Sequence, residues 1–288
     1  MEILNKTIKV ITKDQHSFEI SCIGDKSAKR VLLFFPAMGV EARYYRVWAS
    51  SMAEQGFLCC ISDWRGHGTS SLRPKTGANF GYHTMIEQDY NCAIDAVRNY
   101  ADSEELYLGG HSLGGQLSCL FAGTRSDDQS WLSGIILIAA CTISHKGWPG
   151  IQGFVMRFVP YIFSTVARWV GYFPGNKLNF AGIEAKQQIL DWAQSGIDGF
   201  YQPKGYDSAI DRMMEKVEVP IISLSFEGDA YAPKAAVDNL VSKMPGCNVS
   251  RVHLTASDYP REILDHFKWA RKSPEVTTEL ISSLITIE

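Results

Sequence analysis

Short apolar runs alternate with longer amphipathic segments along most of the chain. The runs apolar enough to form strands buried on both faces of a sheet are Val31–Phe35, Phe57–Ile61, Leu106–Leu108, Ile135–Ala140, Ile221–Phe226 and Val249–Leu254. The segments with helical periodicity are Arg43–Gln55, His83–Tyr100, Ser112–Gly123, Ala232–Lys243 and Pro274–Thr286. This alternation predicts an α/β fold with a mostly parallel central sheet and helices on both faces. Two more polar runs, Lys6–Thr12 and Ser17–Ile23, predict an antiparallel pair at the sheet edge.

The alternation is interrupted once, between Ser144 and Lys216, where the pattern is helical and rich in aromatic residues. We therefore divide the chain into a core (residues 1–143), a helical lid (144–216) and the rest of the core (217–288). An insertion after the sixth core strand would lie above the carboxyl ends of the strands, where open α/β sheets bind ligands. Aromatic residues of this lid are candidates for an apolar acyl pocket, Trp148, Phe154 and Phe158 first and then Tyr161, Phe163, Trp169, Tyr172 and Phe173. The alternative is that they only pack the lid onto the core.

Composition and charge exclude several classes of function. The net charge of −3 and the scattered basic residues predict no nucleic-acid partner. Residues 150–173 are apolar but contain Arg157 and Arg168, so we expect an interfacial or lid helix rather than a membrane span. The N-terminus lacks the apolar core of a signal peptide, and the seven cysteines occur without metal-binding spacing. We expect a cytoplasmic protein with free thiols, no metal and no cofactor.

The strongest chemical signal is Gly110-His111-Ser112-Leu113-Gly114-Gly115, which follows a predicted strand and opens a predicted helix. This is the G-x-S-x-G nucleophile elbow in its expected strand–turn–helix context. A sharp turn brings the strand end close to the helix start, so the flanking positions need glycine. A dinucleotide-binding loop would need glycine where His111 stands. We predict that Ser112 is a nucleophile and that His111 has a main-chain role beside it.

The acid and base of such a site should follow the serine in the order Asp, His. Asp229 comes just after the strand Ile221–Phe226 and its closing glycine, and neighbouring Glu227 is a rival. A capping role in a turn is the alternative for Asp229. His266 follows the last strand, whereas its rival His253 lies inside that strand. We predict a Ser112–His266–Asp229 triad and a structural role for His67.

Acyl transfer also needs two donors for the developing oxyanion. The N–H of Leu113 directly follows the nucleophile, and it is the first expected donor. The second should come from the loop after Val31–Phe35, with the Met38 N–H preferred over that of Ala37.

Taken together, these motifs resemble the α/β-hydrolase superfamily over nearly the whole chain. They are the turn Asp63–Gly68, the elbow, Gly228-Asp229 and His266. More narrowly, Phe35–Gly39 followed by Tyr44-Tyr45-Arg46 is similar to a bacterial branch of predicted hydrolases related to serine aminopeptidase and monoacylglycerol lipase. In that branch a segment like Gly171–Gly175 lies in the lid. The resemblance implies the fold and the triad roles, but no substrate.

Two positions depart from the superfamily pattern. Pro36-Ala37 stands where many members have His-Gly, and Asp265 precedes the histidine where glycine is usual. The expected function is a serine hydrolase acting on an acyl ester or thioester of a small molecule. The alternatives are an acyltransferase or carrier-bound thioesterase with the same triad, and a non-catalytic small-molecule binding protein on the same fold.

Overall fold

A computed structural model describes residues 5–272 and 274–287 of the 288-residue chain. Its strands, in chain order, are β1 (Asn5–Ile11), β2 (Ser17–Ile23), β3 (Arg30–Phe35), β4 (Phe57–Ser62), β5 (Glu105–His111), β6 (Gly134–Ile138), β7 (Tyr172–Pro174), β8 (Ile183–Ala185), β9 (Ile221–Phe226) and β10 (Val249–Leu254). Eight of them form one sheet in the order β1-β2-β4-β3-β5-β6-β9-β10. The pairs β1–β2 and β2–β4 are antiparallel. The other pairs of this sheet, β4–β3, β3–β5, β5–β6, β6–β9 and β9–β10, are parallel.

The helices lie on both faces of this sheet or in the segment between β6 and β9. They are α1 (Arg46–Glu54), α2 (Tyr82–Thr84), α3 (Asn91–Tyr100), α4 (Leu113–Thr124), α5 (Gly150–Met156), α6 (Val159–Val170), α7 (Lys186–Asp198), α8 (Asp211–Met214), α9 (Lys234–Val241), α10 (Trp269–Lys272) and α11 (Pro274–Ile287). The fold class predicted from the apolar runs is confirmed: this is an α/β fold with a mostly parallel central sheet.

The sheet centre explains why continuous apolar runs predict its strands. Every residue of β4 and β6 is buried, because helices cover both faces of these strands. Phe35 at the end of β3 stacks on Tyr90 with ring centroids 3.8 Å apart. The carboxyl ends of β3, β5 and β9 lie at the same edge of the sheet, with β6 between β5 and β9, and each is followed by one candidate site segment.

Three local predictions need correction. The strand predicted at Ile135–Ala140 ends at Ile138, because Ala139 adopts a φ of 47°. The helix predicted at His83–Tyr100 contains a π-helical stretch, Met85–Tyr90, before α3 begins. The insertion (residues 144–216) is not purely helical, since β7 and β8 form a short antiparallel hairpin within it.

Among the helices that the structure describes, none combines the length and the apolar composition needed to cross a membrane. This finding agrees with the two arginines that interrupt the apolar segment 150–173.

Candidate active site

Ser112 lies in a sharp turn between β5 and α4. Its backbone has φ 52° and ψ −114°, a conformation that is strained for any residue with a side chain. A Cβ at Gly114 would lie 2.0 Å from the Phe35 carbonyl oxygen, and one at Gly110 would lie 2.2 Å from Gly114. The glycines of the motif are therefore required by crowding between the strand end and the helix start.

Asp229 and His266 form a buried pair. Asp229 Oδ2 lies 2.7 Å from His266 Nδ1, and both side chains are almost inaccessible to solvent. Asp229 Oδ1 accepts hydrogen bonds from the N–H groups of Tyr231 (2.8 Å) and Ala232 (3.0 Å). With its position fixed in this way, the carboxylate orients the imidazole and favours the tautomer whose Nδ1 carries the proton.

Glu227 and His253, the alternatives to Asp229 and His266, lie away from the cavity that contains Ser112. Glu227 Oε2 accepts a hydrogen bond from the Ala256 N–H at 2.5 Å. His253 lies on β10, where its Nδ1 is 2.9 Å from Ser225 Oγ. Neither side chain borders the cavity that contains Ser112.

Asp265, which stands where the superfamily usually has glycine, closes a tight turn around His266. Its Oδ1 accepts hydrogen bonds from the N–H groups of Phe267 (3.0 Å) and Lys268 (3.1 Å). Burial acts to raise the pKa of Asp265, but these backbone donors and the Lys268 ammonium outweigh it and lower the pKa. The ionised carboxylate therefore anchors the segment that holds the imidazole.

Two backbone N–H groups face the site without a partner. Within the described residues, neither the Leu113 N–H nor the Met38 N–H donates a hydrogen bond. The Ala37 N–H is occupied, because it donates to Tyr45 Oη at 2.9 Å. The structure thus favours Met38 over Ala37 as the second donor. Pro36 is also fixed, since its carbonyl accepts a hydrogen bond from Trp64 Nε1 at 2.8 Å.

Tyr45 connects this loop to the residue before Ser112. Its hydroxyl accepts from Ala37 and lies 2.8 Å from His111 Nδ1, to which it can donate its own proton. Burial, reinforced by the neighbouring His266 ring, holds the pKa of His111 well below its usual value. His111 therefore stays neutral and serves as an acceptor, in agreement with a supporting role beside the elbow.

A cavity of about 270 Å³ opens between the core and the insertion. Ser112, His266, Met38 and Leu113 all border it. The other bordering residues are mostly apolar: Ala37, Gln116, Cys141, Ile143, Trp148, Met156, Val159, Phe163, Asn179, Phe180, Ala181, Trp192, Ala230, Tyr231 and Phe267. The cavity therefore presents an apolar wall to a reacting group held near Ser112.

Of the three aromatic residues first predicted to bind substrate, only Trp148 lines this cavity. Its Nε1 donates to the Ala230 carbonyl at 3.1 Å, which ties the insertion to the turn that carries Asp229. Phe154 and Phe158 do not line it, and 66% and 47% of their surface is exposed. The pattern of apolar residues alone does not distinguish the inner from the outer side of these helices.

Several lining residues were missed by the sequence analysis. Phe180 and Trp192 come from the second half of the insertion, and Tyr231 follows Asp229. Gln116 lies one helical turn after Ser112, its amide nitrogen donates to the Cys141 carbonyl, and its Oε1 has no partner among the described residues. Its i+4 spacing from the nucleophile is the signal that could have identified it.

The described residues contain no group of three or more His, Cys, Asp or Glu side chains that could hold a metal ion.

Comparisons with known proteins place this geometry in context. A family model described as serine aminopeptidase, S33, matches residues 26–195, which is more than half of the chain. No curated protein matches the chain.

Solved structures share the fold at low sequence identity. The α/β hydrolase GrgF from Penicillium sp. sh18 is 15% identical with a TM-score of 0.62, over 99% of this chain and 98% of its own. The esterase EaEST from Exiguobacterium antarcticum is also 15% identical, with a TM-score of 0.61 and coverage of 96% and 98%. The thioesterase domain from the curacin biosynthetic pathway is 15% identical, with a TM-score of 0.58 and coverage of 99% and 100%.

Proposed function

Because the chain belongs to the serine aminopeptidase S33 family of α/β hydrolases, we propose that it is a serine hydrolase that cleaves acyl esters or thioesters through an acyl-Ser112 intermediate. The observation that carries this proposal is the buried His266–Asp229 pair, whose imidazole borders the same cavity as the strained Ser112. A binding protein would need neither the strained serine nor the buried pair.

In the proposed mechanism, Ser112 Oγ attacks the acyl carbonyl while His266 Nε2 takes its proton. Asp229 keeps the Nδ1 proton in place and stabilises the imidazolium. The oxyanion accepts hydrogen bonds from the Leu113 and Met38 N–H groups, each of which lowers the barrier by about 3 kcal/mol. His266 then protonates the leaving group, and a water activated by the same imidazole releases the acid from Ser112.

The cavity supports an apolar acyl group of medium length. Its volume of about 270 Å³ is just below the roughly 300–1,000 Å³ typical of ligand pockets. Trp148, Met156 and Phe163 of the insertion border it, so the insertion acts as the lid of this pocket. The esterase and the thioesterase domain among the structural neighbours support an oxygen or sulfur ester as the cleaved bond.

The seven cysteines are all free thiols. Free buried thiols persist in a reducing compartment, which supports a cytoplasmic location.

Labelling with a fluorophosphonate probe, followed by peptide mapping, tests the proposal. We expect the tag on Ser112 in the wild-type protein and in His253→Ala, the matched histidine control. Labelling should be lost in His266→Ala, because the serine then has no base. A folded protein that is not labelled, or one labelled equally in His266→Ala, would contradict the mechanism.

The Ser112→Ala variant should lose hydrolysis of p-nitrophenyl esters by at least about 10⁴-fold, as when the nucleophile of a triad is removed. Its thermal unfolding midpoint should stay at or above that of the wild type. Comparable turnover in this variant would show that Ser112 is not the nucleophile.

A further inference from the structure

The insertion exposes apolar side chains that do not line the cavity. This outer apolar face comprises Ile151, Phe154, Val155, Phe158, Ile162 and Trp169. Phe158, Ile162 and Trp169 follow helical spacing along α6, and the Phe154 and Phe158 rings lie 5.3 Å apart, so α5 and α6 share one surface. Trp169 is 87% exposed and Ile151 is 83% exposed. A cluster of this kind marks a surface that binds something apolar.

The charges in the sequence stretch that carries this face are of one sign. Between Asp128 and Glu184 the sequence contains no acidic residue, although the chain as a whole has a formal net charge of −3. The same stretch carries four basic side chains: Lys146, Arg157, Arg168 and Lys177. Within the described residues none of the four forms an ion pair, and all four are exposed. Their charge is therefore free for an anionic partner.

We infer that the outer apolar face docks on the surface of an anionic phospholipid bilayer. Exposed aromatic and aliphatic side chains flanked by Arg and Lys are what a helix lying in the membrane interface needs. Each basic residue near an anionic lipid surface strengthens binding by about fivefold. A second copy of the chain fits less well, because a two-fold symmetric contact would bring the same basic residues against each other.

The outer apolar face and the cavity lie on the same two helices. Met156, Val159 and Phe163 line the cavity from the same two helices whose other side carries Phe158, Ile162 and Trp169. A bilayer on the outer apolar face would therefore contact the same two helices that line the cavity. Vesicle binding itself depends on no catalytic residue, so it stands apart from the proposed hydrolysis.

The test is cosedimentation of the full-length protein with vesicles of phosphatidylcholine, with and without phosphatidylserine. We expect stronger binding to the anionic vesicles, and weaker binding at high salt. Equal binding to both vesicle types, or no binding to either, would overturn the inference. So would sedimentation velocity showing a dimer that dissociates when Ile162 is replaced by Gln, because a second copy would then cover the face.

Matched variants localise the contact. Ile162→Gln should weaken partition into anionic vesicles by about tenfold or more, since burial of an isoleucine side chain is lost. Ile11→Gln is the control: Ile11 on β1 is 60% exposed, close to the 56% of Ile162, but lies outside the insertion. Equal binding by the two variants would overturn the assignment of this face. Arg157→Glu combined with Arg168→Glu should remove the preference for phosphatidylserine.

Trp169 gives an independent optical readout. It is the one fully exposed tryptophan of the seven, all of which lie in the described residues. Vesicle binding should shift the tryptophan emission to shorter wavelength, and Trp169→Phe should remove this shift while binding persists. Ser112→Ala should bind vesicles as the wild type does, and Ile162→Gln should hydrolyse a water-soluble ester at the wild-type rate. Loss of docking and loss of catalysis are therefore distinguishable.

Discussion

Tyr45 shows how a single residue can support the site without bordering the cavity. Its hydroxyl connects the Ala37 N–H to His111 Nδ1, and it is fully buried. By occupying the Ala37 N–H, it fixes the loop in which the Met38 N–H remains free. Tyr45 is thus a positioning residue for the proposed oxyanion site.

Replacing Tyr45 by Phe should lower the free energy of unfolding by about 1–3 kcal/mol, because two buried polar groups lose their partner. In the proposed enzyme kcat should fall more than KM changes, since the oxyanion donors act in the transition state. Urea unfolding and ester hydrolysis measure the two effects. Tyr161→Phe, at an exposed site, is the control; a Tyr45→Phe protein that matches it in stability and kcat would refute the role.

His67 joins two elements, the turn after β4 and the hairpin of the insertion. Its Nε2 lies 2.9 Å from Glu184 Oε2, and Gln188 Nε2 donates to the same oxygen at 2.9 Å. Burial acts to lower the pKa of His67, but the Glu184 carboxylate outweighs it and the pKa is raised. The core and the insertion are therefore linked by a contact that is stronger when His67 is protonated.

This contact predicts a pH-dependent stability. The stabilisation should be fully present below the unfolded pKa of about 6.5 and should be lost as pH rises through the higher folded pKa. The thermal midpoint of His67→Gln should therefore lie furthest below that of the wild type at acidic pH, with the gap closing as pH rises. In a Glu184→Gln background the gap should not depend on pH. A gap that widens with pH would contradict this assignment.

Some strands and helices could be predicted from the sequence better than others. Strands buried on both faces could be predicted because most of their side chains are apolar, and the elbow could be predicted because crowding requires its glycines. The hairpin β7–β8 was missed, since its strands have three residues each and one ends in proline. The sequence could not show which side of α5 and α6 lines the cavity, because the lining side and the exposed side are both apolar.

In the whole molecule, the core and the insertion together form the cavity. The core supplies Ser112 and His266, and the insertion supplies about half of the apolar wall. Substitutions in the insertion should therefore change which acyl chain is accepted while leaving the proposed chemistry intact.

Met156→Trp should shift the preferred ester to a shorter acyl chain, because the larger side chain fills part of the cavity. Each methylene that no longer fits should cost about fourfold in kcat/KM. A series of p-nitrophenyl esters of increasing length measures this profile. Val155→Trp is the matched control, since Val155 is adjacent in the helix but exposed. An identical profile for both variants would show that the acyl chain binds elsewhere.

The pairing of β6 with β9 brings together residues as distant in sequence as Ile135 and Ile221. During synthesis at about 5–20 residues per second, the intervening chain takes roughly 4–17 s to appear. Until then the nascent chain has the elbow on β5 but neither Asp229 nor His266, and the edge of β6 presents unpaired backbone groups to other chains. The order of elements thus leaves a half-built sheet with an open strand edge for as long as the segment between β6 and β9 is being synthesised.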